Sequence, residues 1–266
     1  MMEQHPCFSP ACNAFARIHL PVAPACNIQC RYCVRKYSCV NESRPGVTAA
    51  VMTPEAAAAW YKEMKAKVPR LVVAGIAGPG DALENWTQVR TVLEAVRRLD
   101  PSVKLCLSTN GLRLPEYAEE LHELGVAYIT VTVNARKEAV GAEIYEYVRD
   151  GRSVYRGKEA AALLLERQWE GIERIRRWGC TVKINSVAIK GINEGELEGI
   201  AAKAAQLGCE VMNIIPMIPV PGSAFQDWPV WQEKEIEALR KQAGTYIRQM
   251  THCRRCRADA VGSLEE

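Results

Sequence analysis

Three cysteines stand close together in the segment Ala25–Cys33, which reads ACNIQCRYC. Cys26, Cys30 and Cys33 follow a Cys-x3-Cys-x2-Cys spacing. Thiolates bind soft metals, and iron–sulfur clusters are usually held by four of them. Three thiolates on one short loop can therefore hold three corners of a four-iron cluster and leave the fourth iron open to another ligand.

A zinc site is the alternative interpretation of these cysteines. A structural zinc takes four ligands, usually as two spaced pairs, and the triplet alone does not supply them. The chain holds 11 cysteines, an odd number. Because a reducing compartment also disfavours disulfides, metal or redox chemistry is the better explanation of so many thiols.

The overall composition is that of an ordinary globular protein. The 266 residues are 48% hydrophobic and 24% charged, with a net charge of +3. No basic run is dense enough to predict nucleic-acid binding. No apolar stretch reaches the roughly 18 residues of a transmembrane helix, and the N-terminus lacks the pattern of a signal peptide. We therefore expect a cytoplasmic protein that binds neither nucleic acid nor membrane.

Apolar runs alternate with amphipathic helical patterns along the chain. The predicted strands are 15–23, 70–78, 103–111, 127–135, 180–189 and 210–220. The predicted helices are 53–67, 85–99, 115–125, 159–178, 196–208 and 231–250. Six strands, each followed by a helix, predict a parallel sheet of right-handed crossovers, an α/β fold with a partial (β/α)6 TIM-type barrel. Its chemistry should lie at the carboxyl ends of the strands.

Several polar motifs follow predicted strands. The turn AGIAGPGDAL at 74–83, with Gly78, Gly80 and Asp81, matches neither common nucleotide-binding glycine pattern. Asn110 in STNG and Asn134 in TVNAR also lie at strand ends. Asparagines there either bind a cofactor or form turns, and the sequence leaves both open.

Five further cysteines are candidate ligands: Cys7, Cys39, Cys106, Cys253 and Cys256. The Cys-x2-Cys pair in the tail, Cys253 and Cys256, is also compatible with a zinc knuckle or a redox pair. Cys106, inside a strand, can be a buried core thiol. Cys12, Cys180 and Cys209 look like ordinary small apolar residues.

The motifs HPCF, CNIQCRYCVRKYSCVNESRPG, AGPGDAL, TNG and CRRCRADAVG together resemble the NifB family of radical S-adenosylmethionine enzymes. The likeness covers nearly the whole chain. It implies the partial barrel of the radical S-adenosylmethionine superfamily, as a single domain over 1–266 with cluster-ligating extensions at 1–14 and 251–266. Many members carry a C-terminal carrier domain; since this chain stops at VGSLEE, we expect the short, stand-alone form.

The resemblance also implies an activity. S-adenosylmethionine would occupy the open iron of the triplet-bound [4Fe-4S] cluster, and an electron from that cluster would generate a 5′-deoxyadenosyl radical. Two further [4Fe-4S] clusters, the substrates, would be fused with a carbide from the S-adenosylmethionine methyl group and an extra sulfur. The product would be NifB-co, the eight-iron precursor of the nitrogenase cofactor. Expected partners are a cluster donor, a cofactor carrier or scaffold protein, and an electron donor.

Specific residues receive expected roles from the same resemblance. For S-adenosylmethionine they are Tyr32 near the adenine, Gly78, Gly80 and Asp81 near the ammonium, and Asn110 and Asn134 near the carboxylate or ribose. For the substrate clusters they are Cys7, Cys253 and Cys256 on one, and His5, Cys39 and Cys106 on the other. His19 is the rival nitrogen ligand. Glu42 and Arg44 are the catalytic candidates, Glu42 for proton transfer, although a surface ion pair also explains them.

Two other functions remain open from the sequence. One is a radical enzyme with auxiliary clusters that modifies a peptide or a small molecule. The other is a non-catalytic iron–sulfur scaffold or electron carrier, which needs no open iron. The source of the extra sulfur, the proton acceptor and the oligomeric state are not specified by these motifs.

Overall fold

The computed structural model describes residues 5–8 and 14–264. The strands are β1 (Ala16–His19), β2 (Ile28–Cys30), β3 (Leu71–Ile76), β4 (Lys104–Thr109), β5 (Val126–Thr132), β6 (Tyr145–Asp150), β7 (Ser153–Tyr155), β8 (Thr181–Ala188), β9 (Val211–Pro216) and β10 (Val261–Gly262). The helices are α1 (Pro54–Lys67), α2 (Trp86–Leu99), α3 (Leu114–Glu123), α4 (Glu138–Ile144), α5 (Gly157–Arg177), α6 (Glu194–Gln206) and α7 (Glu233–Ala243). A short 3-10 helix, Leu83–Asn85, precedes α2.

The main sheet is a curved wall of parallel strands. Its strand order is β10-β1-β3-β4-β5-β8-β9, and all neighbours except β10 and β1 run parallel. Helices α1, α2, α3, α5 and α6 lie on the crossovers between successive parallel strands. This order confirms the predicted partial (β/α)6 barrel.

Helix α1 shows how the sequence sets the outer layer. Thr53 accepts a hydrogen bond from the amide of Ala56, and Pro54 begins the helix. Its buried residues, Ala57, Tyr61 and Met64, recur at spacings of four and three. That spacing places one apolar face of the helix against the sheet.

Polar residues occupy the inner face of the barrel wall. Cys106 on β4 is opposite Tyr128 on β5, and Lys183 on β8 is opposite Thr130. One layer nearer the carboxyl ends, Asn185 is opposite both Thr132 and Asn213. Because successive side chains in a strand alternate sides, these polar positions point inward while the intervening apolar residues pack under the helices. The wall therefore carries a polar interior at the end where chemistry is expected.

Some predicted boundaries are wrong. The strand predicted at 15–23 ends at His19, and the helix predicted at 231–250 ends at Ala243. A second sheet, β2-β6-β7, was not predicted. Its residues Tyr145–Tyr155 alternate weakly in burial, because one face of the hairpin is open to solvent.

The N-terminal segment and the tail lie against the same end of the barrel. Strand β10 pairs antiparallel with β1 through Arg17 and Gly262. His252 is within 3.0 Å of the carbonyl of Pro6, measured from Nε2. Cys12 lies outside the described residues. Among the described helices, none is both long and apolar enough to cross a membrane.

Candidate metal centre and the adjoining cysteine chamber

The three clustered cysteines line one cavity, here called the triplet chamber. Cys30 ends β2, and the pairing of β2 with β6 fixes the loop that carries Cys26 and Cys33. The chamber encloses about 410 Å³. Its other lining residues are Ile28, Tyr32, Arg35, Cys39, Val40, Asn41, Glu42, Gly80, Asp81, Ser108, Thr109, Asn110 and Thr132.

The triplet thiols are held in a desolvated setting. Burial raises the pKa of Cys26 to about 12 and raises the pKa values of Cys30 and Cys33 as well. Across residues 5–8 and 14–264, no three His, Cys, Asp or Glu side chains converge on a single ion position. In a four-iron cluster each thiolate binds a different iron, so the sulfurs need not meet at one point. Three soft donors around one cavity therefore fit a cluster better than a zinc ion.

The glycine-rich turn after β3 packs directly on the triplet loop. The amide of Gly80 donates to the carbonyl of Ala23, and that of Asp81 donates to Ala25. A Cβ at Gly80 would lie 2.1 Å from the carbonyl oxygen of Ala25, so only glycine fits there. Gly78 has φ +112° and does not line the chamber; its carbonyl accepts from the amide of Ala23.

Asp81 joins this turn to the end of β4. Its carboxylate accepts hydrogen bonds from the amides of Leu83 and Asn110, at 2.9 and 2.6 Å, and from the hydroxyl of Thr109. Burial raises the pKa of Asp81, although these donors oppose that shift. Asp81 lines the chamber, but its oxygens are already engaged in fixing the turn.

Tyr32 and the two asparagines differ in their access to the chamber. The hydroxyl of Tyr32 donates to Asn41 and accepts from Asn134 Nδ2, each at 2.8 Å. Asn134 is fully buried, does not line the chamber, and accepts from the amide of Val187. Both side-chain groups of Asn134 thus support the neighbouring structure, and its contact with a ligand stays a prediction.

Asn110 does line the chamber, beside the triplet loop. Its Nδ2 donates to Asn27 Oδ1 at 2.6 Å, and it lies 3.8 Å from Cys26 Sγ. Asn27 is 1% exposed, and its Nδ2 has no hydrogen-bond partner. A buried donor without a partner is costly, but Asn27 does not line the chamber, so Asn110 is the amide that a ligand there would meet.

A second cavity, here called the tail chamber, adjoins the first and encloses about 620 Å³. Its cysteines are Cys7, Cys106, Cys253 and Cys256, drawn from the N-terminal segment, β4 and the tail. Burial raises the pKa of Cys7 to about 11 and raises that of Cys106 further. Among the described residues, the two ends of the chain thus bring three thiols to the site of a fourth, Cys106 on β4.

Glu42 stands between the two chambers and lines both. Asn185 Nδ2 donates to its two carboxylate oxygens, at 3.2 and 3.3 Å, and the Thr132 hydroxyl lies at 3.3 Å. Burial raises the pKa of Glu42 to about 7, although Lys183 and these donors act to lower it. A carboxyl with this pKa can gain or release a proton near neutral pH.

The two candidate histidines both line the tail chamber, and their ring nitrogens make different contacts. Nδ1 of His5 accepts from the amide of Cys7 at 3.1 Å, while its Nε2 is buried without a partner. His19 Nδ1 lies 3.2 Å from the carbonyl of Arg257. Burial lowers the pKa of both imidazoles, that of His19 to about 4. Both rings are therefore neutral at pH 7 and suited to metal binding, and the choice between His5 and His19 stays a prediction.

Cys39 and Arg44 lie outside the tail chamber. Cys39 lines the triplet chamber, so it is separated from Cys106 and His5, with which it was grouped. Its amide donates to the carbonyl of Pro79, which holds it near the glycine turn. Arg44 lines neither chamber: its side chain is exposed, and its amide donates to the carbonyl of Cys256 at 3.1 Å.

The sequence patterns assign no specific role to several residues that line the two chambers. Lys183 reaches the tail chamber from the middle of β8, and Arg35 and Ser108 line the triplet chamber. Burial acts to lower the pKa of Lys183, but Cys7, Glu42, Cys253 and Cys106 oppose it and the net direction is upward. The available signal was a polar residue at every second position in otherwise apolar strands.

Comparison with protein families matches residues 20–204 to the model described as the Radical SAM superfamily. Two curated relatives are proteins named FeMo cofactor biosynthesis protein NifB. The one from Chlorobaculum tepidum is 41% identical over 100% of this chain and 63% of its own length. The one from Klebsiella pneumoniae is 44% identical over 98% of this chain and 57% of its own. This chain thus spans about six-tenths of their length and is NifB-like over that part.

Among solved structures, Streptococcus suis SuiB bound to S-adenosylmethionine has a similar fold. The TM-score is 0.61 at 14% identity, and the match covers 89% of this chain and 50% of SuiB. At this identity the likeness concerns the fold alone, and it agrees with the curved parallel wall described above.

Proposed function

This chain belongs to the Radical SAM superfamily, and from that premise we propose that it assembles the eight-iron precursor of the nitrogenase cofactor. The named relatives are FeMo cofactor biosynthesis proteins, and the assignment carries their role to this chain. In the full proposal two [4Fe-4S] clusters are the substrates. They are fused with a carbide from the S-adenosylmethionine methyl group and one extra sulfur.

The observation that carries this proposal is the pair of chambers separated by Glu42. On one side, Cys26, Cys30 and Cys33 would hold the resident cluster. On the other side, four cysteines and the free Nε2 of His5 offer donors for iron–sulfur substrates. A carrier of one resident cluster needs no second chamber of soft ligands, whereas an enzyme that joins clusters does.

The resident [4Fe-4S] cluster and S-adenosylmethionine, when bound, supply reductive cleavage and a methyl source. The chain's own residues shape their site. Gly80 lets the turn approach the triplet loop, Asp81 fixes that turn, and Asn110 lines the chamber beside Cys26. The Tyr32 ring, held by Asn41 and Asn134, forms a rigid wall.

Glu42 is the proposed proton acceptor. Conversion of a methyl group to carbide must release protons, and Glu42 lines both the triplet chamber, which would hold the methyl source, and the tail chamber, which would hold the substrates. Its pKa of about 7 allows it to accept a proton and pass it on. Asn185 orients the carboxylate from β8. Arg44, at the outer rim, is proposed to act on the tail and not on the reacting atoms.

The proposed iron–sulfur substrates also imply roles for the chain ends, for Cys39 and for partner proteins. Residues 5–8 and 251–264 act as ligating extensions of a single barrel unit. Cys39 is close enough to the triplet to serve at the boundary of the two chambers. An iron–sulfur cluster donor, an electron donor and a carrier or scaffold for the product are the expected partners, in the reducing cytoplasm.

The test is transfer of label. Protein reconstituted without oxygen is given S-adenosylmethionine with an isotopically labelled methyl group, and label is sought in the extracted metal cluster. We expect label in the cluster for the unchanged chain and for Cys209→Ala, a control outside both chambers. Cys256→Ala should keep 5′-deoxyadenosine release and lose labelled cluster. Label in a peptide or small molecule, or no release of 5′-deoxyadenosine, would refute the proposal.

A further inference from the structure

Lys183 is a buried lysine on the wall of the tail chamber. It lies in the middle of β8, opposite Thr130 on one side and Val211 on the other. The residue is 6% exposed, and its Nζ lies 5.4 Å from the centre of the Phe8 ring. The ammonium is therefore held inside the barrel.

Within the described part of the chain, no carboxylate forms an ion pair with Lys183. The nearest charged group of opposite sign on the chamber wall is Glu42, which already accepts from Asn185 and Thr132. Among the described residues, the chamber's other charged side chains are Arg254 and Arg255, so the cations outnumber the carboxylate. A buried charge that forms no ion pair is costly to desolvate, and an anionic occupant of the chamber would offset that cost.

A surface cavity next to this chamber is also cationic. It shares Arg254, Arg255 and Cys256 with the tail chamber. It adds Arg17, Arg44 and Arg257, and among the described residues no carboxylate lines it. Clefts lined by one sign of charge concentrate ligands of the other sign. The surface cavity and the tail chamber thus favour the same class of ligand.

We propose that Lys183 is the internal counter-ion for an anionic, thiolate-bound iron–sulfur cluster in the tail chamber. A four-iron cluster with thiolate ligands carries net negative charge. Among the described residues that line the chamber, Lys183 is the cation on a barrel strand, whereas Arg254 and Arg255 belong to the tail. The inference rests on the proposed function for the identity of the occupant. Lys183 is a positioning residue, since it acts by charge and not by bonding to iron.

The first measurement is iron retention by the tail chamber alone. Cys26, Cys30 and Cys33 are all changed to Ala, and the protein is reconstituted without oxygen with iron and sulfide. In this background Lys183→Met should hold the cluster about tenfold more weakly against a chelator than Lys183→Arg, which keeps the charge. Lys203→Met is the matched control, because Lys203 Nζ lies over the Trp169 ring at 4.7 Å, outside both chambers.

The second measurement is thermal unfolding of the cluster-free protein. There Lys183→Met should change the melting temperature much less than it does in loaded protein, because the cluster that the ammonium would neutralise is absent. Equal iron retention by Lys183→Met and Lys183→Arg would overturn the inference. So would a loss of cluster-free stability as large as the loss in loaded protein, which indicates a purely structural role. If the triplet-free protein with Lys183 intact binds no iron, no cluster occupies the tail chamber, and the proposed function itself is refuted.

Discussion

Arg17 Nη2 donates to Cys256 Sγ across 2.7 Å, joining the first barrel strand to a cysteine 239 residues later. The other terminal nitrogen of the same guanidinium donates to the carbonyls of Gly262 and Ser263, at 2.5 and 2.7 Å. Arg17 is 3% exposed. One buried side chain therefore fixes both the path of the tail and the position of a candidate ligand.

Replacing Arg17 with Met should release the tail while the barrel stays folded. Hydrogen bonds from a charged donor contribute about 1.5–3 kcal/mol each, and Arg17 makes them at the open edge of the sheet, where β10 alone depends on them. We expect trypsin to cut after Arg254 and Arg257 about tenfold faster or more. Cleavage is followed by mass spectrometry. The exposed Arg98→Met is the control, and equal cleavage of the two variants would contradict this role for Arg17.

Local sequence patterns were sufficient to predict the partial barrel and the cysteine triplet. Six apolar runs with intervening amphipathic helices specify parallel neighbours, because crossovers are right-handed and short. The Cys-x3-Cys-x2-Cys spacing also stands on a single loop, so no long-range contact is needed to bring Cys26, Cys30 and Cys33 together.

The features that could not be predicted from the sequence depend on contacts between residues far apart in the chain. The contact of Arg17 with Cys256 and the placement of Cys7 beside Cys253 depend on how the two ends pack on the barrel. No periodicity encodes that packing. Asn134 illustrates another limit: its position at a strand end was correct, but its amide turns to Tyr32 and Val187 and away from the chamber.

Glu42 should give the fold a pH dependence that Glu42→Gln removes. Its folded pKa of about 7 is above the ordinary value of 4.5, so the folded chain holds a proton that the unfolded chain has already lost. This contribution to stability is complete below pH 4.5 and is lost as the pH rises towards about 7. The loss is at most about 3 kcal/mol.

The measurement is urea unfolding of cluster-free protein at about pH 5 and about pH 8. The difference in unfolding free energy between Glu42→Gln and the unchanged chain should shift in favour of the variant at the higher pH. Taking the difference removes the titration of His5 and His19, which both proteins share. A difference that does not change with pH would show that Glu42 is not held protonated by burial.

Gly80→Ala should damage the triplet chamber selectively. The new Cβ would lie 2.1 Å from the carbonyl oxygen of Ala25 and 2.8 Å from that of Ala23, and both are backbone atoms that cannot rotate away. The glycine turn and the triplet loop must separate, at a cost of about 3 kcal/mol. Because the tail chamber is not lined by Gly80, iron held there should be retained.

The matched control is Gly195→Ala, where an added Cβ meets nothing within 4 Å and lies on a helix. That change should be neutral or slightly stabilising, since alanine is the better helix former. Iron counting without oxygen, with and without the triplet substitutions, separates the two chambers. If Gly80→Ala loses iron from both chambers equally, the turn supports the whole barrel mouth; if it loses none, the close approach to Ala25 is not what keeps the triplet loop in place.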